Sequence, residues 1–149
     1  MSLFEDVLGF FDADDWNYTK LDEGDAVVMG FIGDNARWQC YCKVREEQKQ
    51  VMFYSIAPVS TPEPKRGEVS EFTTRANYGL IIGNFEMDFS DGEVRYKSSI
   101  DVEDAEFSPS LIRNMVYANV MTMDRYLPGL LGMIHGDLSA TDAIAKVEG

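Results

Sequence analysis

The chain has 149 residues, 45% of them apolar, and sets 26 acidic side chains against 13 basic ones for a formal charge of −13. That length and apolar content suffice for one domain with its own core and exclude a disordered acidic tail. A surface this acidic repels phosphate backbones and anionic headgroups, so neither nucleic acid nor a membrane surface is an expected partner.

Ser2 and Glu5 form the S-x-x-E capping pattern, and Leu3, Phe4, Val7, Leu8 and Phe11 follow at helical spacing. Asp12, Asp14 and Asp15 oppose the negative end of a helix dipole, so the helix is expected to end near Phe11, with Phe10 adding apolar surface beyond the stripe. This N-terminus lacks a basic leader region, no stretch approaches the roughly 20 apolar residues of a membrane span, and no signal peptide is expected.

"AVVMGFI" (Ala26–Ile32) reads as a buried strand and "GDN" (Gly33–Asn35) as a turn. In the next strand Trp38, Cys40, Cys42 and Val44 alternate with Arg37, Gln39, Tyr41, Lys43 and Arg45. "VMFYSI" (Val51–Ile56) completes a three-stranded antiparallel meander. The cysteines, two apart on one face, sit roughly 6.5–7 Å apart, beyond disulfide reach, so reduced thiols in a cytoplasmic protein are expected. The loop "APVSTPEPKRG" (Ala57–Gly67), with three prolines, is the candidate interior joint. A helix carrying Val69, Phe72, Ala76 and Leu80 on one face follows, closed by Gly83.

"FEMDFSDGEVRYK" (Phe85–Lys97) crowds Glu86, Asp88, Asp91 and Glu93 around one glycine. Asp-Gly between alternating runs predicts a hairpin with a two-residue turn. That register sets Ser90 opposite Glu93, Phe89 opposite Val94, Asp88 opposite Arg95, Met87 opposite Tyr96 and Glu86 opposite Lys97. A calcium loop needs further alternating carboxylates and a terminal bidentate Glu, so the acids read as strand faces rather than a metal site.

"DVEDAEF" (Asp101–Phe107) is a solvated loop, and Ser108-Pro109 starts the longest helix. At 100° per residue Ile112, Met115, Val116, Asn119, Met123, Tyr126 and Leu127 share its apolar face, and Asn119 is expected to bond a strand or loop carbonyl. Pro128 is expected to kink or restart the helix. His135 and Gly136 end the apolar run, and Ser139 caps a terminal helix.

Cys40, Cys42 and His135 fall short of the four ligands of a structural zinc site, and a chain with one histidine and no nucleophile elbow assembles no triad. No phosphate-cradling loop is present. Tyr117 and Met121 lie off the apolar face as surplus surface for the N-terminal helix or a second chain to cover. The candidate interaction surface is therefore Tyr117 and Met121 with Phe4, Phe10 and Phe11.

From about Pro64 onward the chain carries the G-x-F-E-x-D strand, the D-G-E-x-R hairpin, the S-P-x-L-I-R-N helix start and Y-A-N-V-x-T-M-D-R-Y-L-P-G-L. These motifs, in this order, resemble the YbjN-like family of bacterial proteins. The resemblance implies an α+β fold similar to type III secretion chaperones, with a single antiparallel sheet packed by helices. It implies no catalytic residue, metal or cofactor. The expectation for residues 1–149 is one non-enzymatic, chaperone-like or regulatory protein-binding domain, acting as a homodimer on a protein partner or client. The alternatives are a small metal-dependent hydrolase using Asp88, Asp91 or Glu93, or a small-ligand sensor.

Overall fold

The computed structural model describes all residues, Met1–Gly149. Helix α1 (Leu3–Ala13) opens with the expected reciprocal cap between Ser2 and Glu5. A second cap comes from a distant turn: the Glu46 carboxylate accepts the Leu3 and Phe4 amides, each at 3.0 Å. An anion there satisfies two orphan amides and complements the helix dipole.

The helix runs past Phe11 because the acidic residues close it. Asp15 takes a left-handed backbone (φ 60°), the Trp16 amide donates to the Phe11 carbonyl at 2.9 Å, and the Asp15 amide donates to Asp12 at 3.3 Å. That is the Schellman pattern, completed by the Trp16 ring packed edge-on against Phe11 at 5.6 Å.

Six strands follow: β1 (Tyr18–Lys20), β2 (Ala26–Ile32), β3 (Arg37–Arg45), β4 (Gln50–Ser60), β5 (Asn84–Met87) and β6 (Glu93–Asp101). They form one antiparallel sheet in the order β1-β2-β3-β4-β6-β5. The meander is β2-β3-β4 and the hairpin is β5-β6, joined because β6 pairs with β4. The proline-rich segment is no interior joint: Ala57–Ser60 prolongs β4, with a register shift between Ile56 and Ser60 that accommodates Pro58.

The hairpin register also differs from expectation, by two residues. Glu86 faces Arg95 and Met87 faces Val94, so Phe89–Gly92 form a four-residue loop. Gly92 alone takes a positive φ (79°), and its amide donates to the Asp88 carbonyl at 2.7 Å. Asp91 stays out of the left-handed region that a two-residue turn demands. A slip of two preserves both faces, so the apolar match survives while the ion pairs change.

Helices α2 (Arg66–Asn77), α3 (Pro109–His135) and α4 (Ala140–Glu148) cover one side of the sheet with α1. Trp38, Cys40, Cys42 and Val44 of β3 are buried beneath them; Arg37, Gln39, Tyr41, Lys43 and Arg45 face the other way and none is buried. Every residue assigned to the apolar face of α3, Ile112 through Leu127, is buried. The sheet's β5 end is closed by one side chain. The Phe85 amide donates to Asn77 Oδ1 at 2.7 Å, and Asn77 Nδ2 donates to the Phe85 carbonyl at 3.1 Å. Asn77 thereby occupies both outward bonds of Phe85, which a seventh strand would use.

Pro128 does not break α3, which continues unbroken to His135. A proline at 128 cannot bond the carbonyl of residue 124. That Asp124 carbonyl instead accepts from Asn35 Nδ2 at 3.0 Å, while the Asp124 carboxylate accepts the Asp34 and Asn35 amides at 3.0 and 2.9 Å. The β2–β3 turn is thus pinned to the helix at the proline. A Cβ at Gly33 would collide with the Asp124 carboxylate and lie 2.8 Å from Trp38, so only glycine fits.

Candidate functional site

The hairpin acids are occupied by the hairpin. Asp88 Oδ1 accepts the Ser90 amide at 2.8 Å and its hydroxyl at 2.6 Å, and Asp91 accepts the Glu93 amide at 2.9 Å. Glu86 accepts Arg95 Nε at 2.8 Å and Lys97 Nζ at 3.0 Å. Partial burial raises the Glu86 pKa, but these two cations outweigh it and hold the carboxyl below its ordinary value. A surface hollow of about 400 Å³ sits beside these residues. No three His, Cys, Asp or Glu side chains gather anywhere as a metal-binding group.

Cys40 and Cys42 lie in the core as expected, and burial pushes both thiols up to about 12. A thiol so placed is neither a thiolate nucleophile nor a ready ligand. His135 lies apart, as the last residue of α3.

The motif residues of α3 hold the fold. Asn119 donates from Nδ2 to the Phe53 carbonyl at 2.9 Å, the Tyr96 carbonyl at 3.0 Å and Ser98 Oγ at 3.0 Å. Ser98 donates onward to the Met115 carbonyl at 3.2 Å, so helix and sheet are tied at two adjacent turns. Asp124 and Pro128 organise the β2–β3 turn as described. These are structural duties.

A shallow groove, walled by aromatic side chains and carboxylates alike, lies where the end of α1, the start of β1, β2 and α3 meet. It has a volume of about 270 Å³ and is lined by Asp14, Asp15, Trp16, Phe31, Ile32 and Tyr117, among others. The Schellman turn swings Trp16 across to Phe31, stacked at 5.7 Å, and to Tyr117, edge-on at 6.1 Å. The Asp14 carboxylate joins the wall by accepting Trp16 Nε1 at 2.9 Å and the Tyr117 hydroxyl at 2.5 Å. Burial, then the Asp14 bond, raises the Tyr117 pKa. Ile32 at the rim is 73% exposed, and Met121, one helical turn beyond Tyr117, is 60% exposed.

The five residues expected to form a contact surface divide. Tyr117 lines the groove, half-covered by the chain's own Trp16, and Met121 stands free beside it. Phe4 is half-buried. Phe10 and Phe11 are 6% and 0% exposed, inside the core rather than on a surface. Phe11 is enclosed by Trp16, Tyr18 and Phe53, which is why the residues after α1 turn back over it. Trp16, Phe31 and Ile32 were missed; the one local signal was the F-x-x-x-x-W spacing across a helix end.

Residues 4–132 match the profile of the YbjN family, described as "Putative bacterial sensory transduction regulator". Among solved structures, the crystal structure of YbjN from E. coli is similar, with a TM-score of 0.63 at 8% identity over 88% of this chain and 93% of that one. The ExsC–ExsE complex gives 0.57 at 12% identity over 86% and 96%, and the HopA1–SchA chaperone–effector complex gives 0.50 at 16% over 83% and 91%. At such identities the likeness is one of fold, and the fold is the type III secretion chaperone-like α+β arrangement. No curated protein sequence matches.

Proposed function

The chain belongs to the YbjN family, and from that premise we propose that it is a single non-enzymatic domain that binds another protein, in a chaperone-like or regulatory role, as a cytoplasmic homodimer. The observation that carries this reading is the groove of Trp16, Phe31, Ile32 and Tyr117, flanked by the exposed Met121. Half-buried aromatic side chains beside exposed apolar ones are features of interaction sites, and aromatic residues dominate binding energy there. Support also comes from two similar structures that are complexes with protein partners. No helix here is long and apolar enough to cross a membrane.

The mechanism is burial of apolar side chains from the partner in the groove, with Asp14 holding the Trp16 and Tyr117 walls in place. Tyr117→Asp combined with Met121→Asp should lower the solution mass from dimer to monomer and abolish capture of the native partner. Met121→Asp alone, at an exposed position, should weaken both without lowering the melting temperature. Unchanged mass and unchanged capture in both variants would overturn the proposal.

A further inference from the structure

The face of the sheet turned away from the helices has its own charge. Along β3 the side chains at alternate positions are Arg37, Gln39, Tyr41, Lys43 and Arg45. Across β4 and β6 the same face presents Met52, Tyr54, Ile56, Arg95 and Lys97. Its acids are Glu86, Glu93 and Asp101. This face is net positive in a chain with twice as many acids as bases.

The pairing is also uneven. Glu86 engages both Arg95 and Lys97. Arg37 and Lys43 have no ion-pair partner, and Arg45 donates only to the neutral Gln50, at 3.0 Å. The cations frame an apolar centre in which Tyr41 and Tyr54 pack at 5.9 Å, Met52 accepts from the Tyr54 hydroxyl, and the Arg95 guanidinium lies 4.4 Å above the Tyr54 ring. Half-buried aromatics with unpaired cations along β3 and Glu86-paired cations along β6 describe a desolvatable centre with a charged rim.

We propose that this open sheet face docks an acidic segment of a partner protein, one whose carboxylates are interleaved with apolar side chains. Carboxylates would meet Arg37, Lys43 and Arg45, and the apolar side chains would cover Tyr41 and Tyr54. Arg37 to Arg45 spans roughly 27 Å, the reach of about eight extended residues. Charge complementarity selects the occupant: a basic segment is repelled at the rim, and a long polyanion such as nucleic acid is repelled by the rest of the acidic molecule. The site adjoins the groove of the proposed function at one corner, where Ile32 pairs with Arg37, but it uses different side chains and stands or falls independently of that groove.

The test uses the full chain and a fluorescent peptide of about twelve residues alternating Glu with Leu, with anisotropy as the readout. Controls are the same peptide with Lys for Glu and a deoxythymidine oligonucleotide of the same length. The acidic peptide should bind, and binding should weaken several-fold as NaCl rises from about 0.05 M to about 0.5 M. Arg37→Glu with Lys43→Glu and Arg45→Glu should cost about tenfold or more in affinity, and the corresponding triple Gln variant should cost less. Tyr117→Asp with Met121→Asp should leave peptide binding unchanged. The proposal is overturned if the lysine peptide or the oligonucleotide binds as well, or if both triple variants bind like wild type. It is also overturned if the triple variants abolish a salt-sensitive self-association, since the occupant would then be a second copy.

Discussion

Asn119 ties α3 to two neighbouring strands at once, because its amide reaches oxygens on both β4 and β6. Asn119→Asp, nearly identical in shape, would aim carboxylate lone pairs at two carbonyls in a dry interior, so it should destabilise by about 3–5 kcal/mol. Asn119→Leu removes the bonds without adding a charge and should cost less, about 1–3 kcal/mol. Urea midpoints of the two variants check that order; a milder Asp variant would refute the assignment. The buried amide was legible from helical phase, since residue 119 falls among Met115, Val116 and Met123. The Tyr117 partner was not legible: Asp14 lies 103 positions away, and nothing local in either segment points to the other. Sequence separation likewise hid the full enclosure of Phe11, which depends on where Phe53 arrives in space.

At the scale of elements, α1 depends on a residue it does not contain. Glu46→Gln keeps the shape but removes the charge facing the first two helical amides, and should lower stability by about 1 kcal/mol. The pH dependence follows from the same contact. Burial raises the Glu46 pKa, but the Phe4 and Leu3 amides and Lys49 outweigh it and leave it lowered, as the cations do for Glu86. A carboxyl depressed in the folded state gives its full stabilisation above its unfolded value near 4.5 and loses it as pH falls through the folded value. The urea midpoint should therefore hold steady from about pH 7 to about pH 5 and drop below that, and Glu46→Gln with Glu86→Gln should make the drop shallower. An equally steep drop in the double variant would remove these two groups from the account. Alternation, helical periodicity and cap residues located the meander, the hairpin strands and the four α-helices, but not the three-residue edge strand β1 or the 3-10 turn Glu63–Lys65. They could not choose between hairpin registers two apart, because both bury the same side chains and only the backbone angles of Asp91 separate them. Nor could they see that Pro128 is tolerated, which depends on Asn35 arriving from another turn.

The whole molecule packs its helices against one side of a single sheet, α4 resting on α2 and α3, with an aromatic-walled groove at one corner and a cationic face on the uncovered side. Each strand in such a sheet adds a row of unspent backbone bonds for the next one, so the number of strands has to be limited by something outside the sheet. At the β5 end the limit is the Asn77 amide. Asn77→Ala should leave the fold largely intact and expose that edge, and light scattering across a concentration series should show new self-association; a variant that stays at the wild-type size would deny the role. Asn77 therefore acts as a terminator, fixing the width of the sheet from a helix. It also sets a rule for visitors, since a polypeptide approaching that end meets a side chain where it would pair with Phe85.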